Sequence, residues 1–291
     1  MNKIPFDHRP AWVEPGDEKP ALNRRGFLTT SVAVGFAAAV QPVMAQVIHT
    51  DSEGIVAGQV MVPVKDGQIP AYRAYPAKGT APFPTVIVAH EIFGVHEHIQ
   101  DVVRRFAKLG YFAITPDLYS RQGDVAKMEN IDDVMKVVRA TPDAQVLADL
   151  DSTVDYLGKT GQADVNRLGI TGFCWGGRVT WIYAAHNPKV KAGVAWYGPL
   201  TSADPNRPSA ISLAPTIKAP ILGLYAGKDA HITQDDVSAM RQAIKGTKSE
   251  IVVYPDADHG FNADYRPTYN KQAAEDAWKR LKEWFKANGV A

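Results

Sequence analysis

From Ile55 onward the apolar positions fall into short runs separated by stretches of helical spacing. Ile55 to Val64 and Ile69 to Tyr75 are alternating or apolar runs joined by Lys65-Asp66-Gly67-Gln68, and Asp-Gly is a strong hairpin signal. The spacing therefore predicts an antiparallel hairpin at the start of the domain. After the Pro-rich linker Pro76 to Pro84, Thr85-Val86-Ile87-Val88-Ala89 is a β-branched run of the kind found in strands buried on both faces. Ile99, Val102, Val103, Phe106 and Leu109 then recur at helical spacing, with Gly110 where a helix C-terminal glycine belongs. The alternation continues with strands over Tyr111 to Thr115, Arg167 to Thr171, Val190 to Trp196, Pro220 to Ala226 and Glu250 to Tyr254. Helices are predicted over Ile131 to Arg139, Asp143 to Leu157, Gly176 to His186, Gln234 to Lys245 and Asn270 to Ala287. Strands separated by helices imply right-handed βαβ units, a mostly parallel doubly wound sheet, and ligands at the carboxyl ends of its strands. Gly198 to Ala219, with four prolines, reads as a surface excursion over that end.

The N-terminus differs in kind. A polar stretch leads into Asn23-Arg24-Arg25-Gly26-Phe27-Leu28, an uncharged run from Thr29 to Val40, and the small-residue ending Val43-Met44-Ala45. That order reads as a signal peptide of the twin-arginine type over residues 1–45, cleaved after Ala45. It predicts a chain handed to the export machinery and a periplasmic, or otherwise extracytoplasmic, single α/β domain over residues 46–291. No later apolar run is long enough to span a bilayer, so no stable membrane insertion is expected after cleavage. The charge balance of 32 basic against 31 acidic residues leaves no global field to draw in nucleic acid. A single cysteine in 291 residues excludes an intramolecular disulfide.

That cysteine lies in Gly172-Phe173-Cys174-Trp175-Gly176-Gly177, the form of a nucleophile elbow at a strand-to-helix turn. The bland alternative is a small buried hydrophobe in a tight turn. Asp229 follows the Ile221 to Ala226 run and His259 the Ile251 to Tyr254 run, giving the order nucleophile, acid, histidine. A thiol needs a base to take its proton, and the base needs a carboxylate to fix its tautomer. Asp256 and Asp258 are rival acids in the same loop as His259, and Asp229 is preferred on geometry. His90-Glu91-Ile92-Phe93-Gly94 follows the Val86 strand, where the second oxyanion amide is supplied, so the N–H groups of Ile92 and Trp175 are expected to face the oxyanion. His96-Glu97-His98 lacks zincin spacing and reads as a surface or helix-start cluster, so neither metal nor cofactor is expected. Phe93, Tyr119, Trp175, Trp196 and Tyr197 follow strands and could line an acyl or ring pocket, with part of the set belonging to the core.

Together, Glu91-Ile92-Phe93-Gly94-Val95, Pro116-Asp117-Leu118-Tyr119, the elbow, Gly227-Lys228-Asp229 and Asp258-His259-Gly260-Phe261 resemble the dienelactone hydrolase (carboxymethylenebutenolidase) family. The resemblance implies an α/β-hydrolase fold without a large cap domain. It also implies a Cys174, His259, Asp229 triad and hydrolysis of small-molecule esters or lactones, enol-lactones in particular, through a thioester. It further implies that Glu91 contacts the resting thiol and helps switch it to thiolate. The arginines with which such enzymes grip a substrate carboxylate are unmatched: Ala263 stands at one position, and only Lys127 and Lys136 lie between Gln122 and Val138. Arg121 and Arg266 are the available substitutes. Two other classes compete: a redox or peroxide-reducing thiol on the same scaffold, and a non-catalytic ligand-binding protein of the cell envelope.

Overall fold

The computed structural model describes residues 48–204 and 207–291, so the signal peptide expected over residues 1–45 lies outside the described residues. An eight-stranded sheet runs through the domain in the order β1-β2-β4-β3-β5-β6-β7-β8. Its strands are β1 (Ile55–Val64), β2 (Gly67–Pro76), β3 (Phe83–Ala89), β4 (Phe112–Pro116), β5 (Ala163–Phe173), β6 (Val190–Trp196), β7 (Ile221–Ala226) and β8 (Glu250–Tyr254). β1 and β2 form the expected hairpin, with Val64 opposite Gly67, and β2 joins β4 antiparallel. Every pairing from β4 through β8 is parallel. Burial follows this order: β4 and β7 are buried at every position and β3 nearly so, while β1 on the edge alternates with solvent.

The helices are α1 (Glu97–Lys108), α2 (Ile131–Ala140), α3 (Asp143–Gly158), α4 (Trp175–His186), α5 (Ala210–Leu213), α6 (Gln234–Ala243) and α7 (Lys271–Ala287). They cover both faces of the sheet, as two glycines on neighbouring strands demonstrate. A Cβ on Gly169 would meet Phe285 of α7 at 3.2 Å, whereas one on Gly193 would meet Thr180 of α4 at 3.0 Å. Gly193 pairs with Ile170, the residue after Gly169, and successive side chains point to opposite faces. α1 shares the α7 face through Phe106, 6.3 Å from Phe285 between ring centroids. Burying the Ile99, Val102, Val103 and Phe106 stripe contributes roughly 1.5–3 kcal/mol per side chain.

β5 starts earlier than the apolar run predicts. Its polar first half, Ala163 to Arg167, pairs with Phe83 and Pro84, and register shifts between Pro84 and Thr85 and between Leu168 and Gly169 absorb the mismatch. Among its described residues the excursion between β6 and β7 contains only α5 and a single 3-10 turn, Ala214–Thr216, which is too little for a large cap domain. It is tied down by Arg178 of α4, which is bidentate to Asp143 at 3.0 and 2.7 Å and donates to the Pro208 carbonyl at 2.8 Å. Among the described residues no helix is long and apolar enough to cross a membrane.

Candidate active site

Cys174 is the single residue between β5 and α4, with φ 54° and ψ −119°. A non-glycine residue in that region is strained and persists only where its surroundings over-determine it. Here the Cys174 N–H donates to the Trp196 carbonyl at 3.0 Å, and the Cys174 carbonyl accepts from Gly177 N–H at 2.9 Å. The flanking glycines allow backbone to touch backbone. A Cβ on Gly172 would sit 2.1 Å from the Gly176 carbonyl oxygen, and one on Gly176 would sit 2.2 Å from that of Ala89. The thiol is buried at 3% exposure.

His259 and Asp229 come from the loops after β8 and β7. His259 Nδ1 lies 2.8 Å from Asp229 Oδ2, while Asp229 Oδ1 accepts the N–H groups of His231 at 2.8 Å and Ile232 at 3.1 Å. Burial works against the Asp229 carboxylate, but the hydrogen bond from His259 and these amides hold it below the usual carboxylate range. Burial likewise works against a charged His259. The Cys174 sulfur and the Asp229 carboxylate outweigh it and push the imidazole up to about 10. Among the described residues His259 Nε2 has no hydrogen-bond partner, and of its neighbours Cys174 does most to favour its protonated form. The rival acids are engaged elsewhere: Asp258 accepts the His259 backbone N–H at 2.7 Å, and Asp256 pairs with Lys228 at 3.3 Å.

The loop after β3 supplies the opposite wall. His90 is fully buried, with Nδ1 2.7 Å from the Glu91 carbonyl and Nε2 accepting the Leu118 N–H at 3.1 Å. Since Nε2 must accept, Nδ1 carries the proton. Burial, the largest influence, pushes this imidazole down to about 4. The Ile92 and Trp175 N–H groups donate no backbone hydrogen bond among the described residues. Glu91 is completely buried, with Tyr265 Oη donating at 2.6 Å, a terminal Arg266 nitrogen at 3.0 Å, and His96 Nε2 at 3.2 Å. Burial opposes its charge, yet Arg266 and His96 hold the carboxyl far below its usual range. Among the described residues there is no hydrogen bond from Glu91 to Cys174, the contact implied by resemblance; its oxygens accept from these three groups.

Of the aromatic residues, Tyr119 packs on Trp175 at 4.7 Å and Tyr197 against His259 at 5.2 Å between ring centroids. Phe93 lies under the Arg266 guanidinium at 5.3 Å. Trp196 stands apart in the core, donating from its indole to Thr171 Oγ1 at 3.1 Å and packing on Phe173 and Trp278. His96 and His98 do begin α1 but are not surface residues. His98 is buried, with Nδ1 2.8 Å from Asp264. Arg121 is held by Asp66 and Asp149. Ala263 is fully buried. Among the described residues no group of three or more His, Cys, Asp or Glu could hold a metal ion. Sequence reasoning missed His90 and Tyr265. The only available signal was their adjacency to Glu91 and Arg266, which the fold brings together from distant positions.

An eight-stranded parallel-cored sheet, a strained turn after β5, and an acid and a histidine on the following strand ends define an α/β-hydrolase. Residues 69–289 match the dienelactone hydrolase family. A candidate carboxymethylenebutenolidase of Methylorubrum extorquens is 56% identical over 278 residues, covering 93% of this chain and 94% of that protein. One of Escherichia coli K12 is 49% identical, covering 90% and 98%. The crystal structure of a candidate dienelactone hydrolase from Klebsiella pneumoniae superposes with a TM-score of 0.78 at 51% identity, covering 80% of this chain and 98% of that one. The chain belongs to the dienelactone hydrolase family and is a hydrolase of ester or lactone bonds.

Proposed function

We propose that Cys174 is the nucleophile of this hydrolase, with His259 as its base and acid and Asp229 as the group that orients the imidazole. The observation that carries this reading is the Asp229 to His259 hydrogen bond of 2.8 Å, which leaves Nε2 unpartnered beside the strained Cys174 turn. The thiolate attacks the carbonyl carbon, and the carbonyl π pair moves onto oxygen, which the Ile92 and Trp175 N–H groups stabilise. The carbon–oxygen bond then breaks, and the departing alkoxide takes the proton from His259 Nε2, leaving a thioester. Water gives a proton to His259 while its oxygen attacks the thioester carbon. The sulfur leaves as thiolate and the acid is released, so ester and water become acid and alcohol.

Glu91 acts in this scheme as a fixed anion that orients Arg266, Tyr265 and His96 along the wall of the site. Enol-lactones of the kind named for the relatives are the first substrates to try, although neither Arg121 nor Arg266 is free to grip a carboxylate without leaving an acid. The twin-arginine reading adds export to the periplasm; mass spectrometry of the periplasmic fraction should find a chain beginning at Gln46, and a full-length chain confined to the cytoplasm would contradict it. Cys174→Ala should lower kcat by several orders of magnitude on an ester and lactone panel, and hydrolysis at the parent rate would remove Cys174 from the mechanism.

A further inference from the structure

Tyr119 and Tyr197 approach Cys174 from opposite flanks of β5. Tyr119 follows β4, which lies beyond β3 on one side, and Tyr197 follows β6 on the other. Tyr119 packs between His90, at 4.8 Å, and Trp175, at 4.7 Å, on the side of the oxyanion amides. Tyr197 sets its ring 5.2 Å from His259, on the side where a leaving group would take its proton. Its backbone is forced to φ 37°, with its N–H held by the Leu224 carbonyl at 2.8 Å.

Both side chains are fully buried, and neither hydroxyl has a hydrogen-bond partner among the described residues. Four other tyrosines have paired hydroxyls. Tyr183 donates to Asp151, Tyr254 to Asp276 and Tyr265 to Glu91, while Tyr225 accepts from Trp181. An unpaired buried hydroxyl costs stability, so two of them, one packed on Trp175 beside Cys174 and one on His259, are kept for a partner that the protein does not supply. Burial first, and then the neighbouring Cys174 sulfur for Tyr119 and the Glu91 carboxylate for Tyr197, pushes both phenols well above the ordinary range, so each keeps a proton to donate.

We propose that the Tyr119 and Tyr197 hydroxyls are substrate-directed hydrogen-bond donors. They select acyl compounds carrying acceptor oxygens besides the scissile ester, Tyr119 on the acyl side and Tyr197 on the leaving-group side. This rests on Cys174 being the nucleophile.

Two ester pairs applied to the full chain test it. p-Nitrophenyl levulinate and valerate differ by a ketone oxygen in the acyl part, and guaiacyl and phenyl acetate differ by a methoxy oxygen in the leaving group. The parent should favour the oxygen-bearing member of each pair. Tyr119→Phe should collapse the first kcat/KM ratio and Tyr197→Phe the second, each by about tenfold, what one net hydrogen bond supports. Because no protein partner is lost, Tm should stay level or rise in both variants. Ratios unchanged in both variants, a uniform loss across all four esters, or a Tm drop of several degrees would overturn the proposal. Full activity in Cys174→Ala would instead overturn the nucleophile reading, whatever the ratios do.

Discussion

His90 ties two strand ends together through one neutral ring, accepting from Leu118 after β4 and donating to the Glu91 carbonyl after β3. A second ring proton would set two donors against each other at Leu118, and burial keeps the folded value near 4. The unfolded chain protonates His90 near the ordinary value of about 6.5, so between the two values the unfolded state binds more protons. Stability from this residue is therefore complete above about 6.5 and falls by roughly 3 kcal/mol as pH drops to about 4. Chemical denaturation across that window should show a shallower decline in His90→Gln than in the parent. Equal slopes would show that the ring is not held neutral. Little of this was legible in the sequence. Glu91 lies 175 positions from Arg266, and no local pattern announces that a glutamate expected at the thiol will be taken by a distant guanidinium. His96 and His98 likewise read as exposed because their burial comes from Tyr265 and Asp264, across the fold.

At the scale of the element, the elbow depends on three chain segments packed with no room for a side chain. A methyl group at Gly176 would press on the Ala89 and His90 carbonyl oxygens at 2.2 and 2.5 Å, both backbone atoms of the strand and loop that carry the Ile92 amide. Gly176→Ala should therefore cost more than about 2 kcal/mol in denaturant unfolding and lower kcat sharply, because relieving the clash separates Cys174 from the loop proposed to bind the oxyanion. A variant with the parent's stability and kcat would mean that the turn tolerates that separation. The glycine spacing was readable because it reflects a purely local demand of strand, turn and helix. The elements around it were readable for the same reason, since buried β-branched runs and amphipathic stripes carry their own period. The early start of β5 was not, because its polar residues pair through register shifts that only the neighbouring strand determines.

For the molecule as a whole, the sheet order explains why residues far apart in the chain meet. β5 lies centrally, β3 beside it brings the Glu91 loop, and β6, β7 and β8 follow in sequence, so the Asp229 and His259 loops open on the same carboxyl edge. Strand order was legible only as a class, mostly parallel with an antiparallel hairpin, because right-handed crossovers constrain topology without choosing which strand lies central. The excursion after β6 is held against α4 by Arg178, Tyr119 packs on Trp175 and Tyr197 on His259, and the proposed mechanism needs this arrangement to present the Cys174 sulfur to an acyl group. The most direct test is intact mass spectrometry of acid-quenched protein during turnover of an activated ester. The account predicts a mass increase of one acyl group, localised to Cys174, absent from Cys174→Ala, and released with the kinetics of turnover. Steady hydrolysis with no adduct on Cys174, or an adduct that persists in Cys174→Ala, would contradict it.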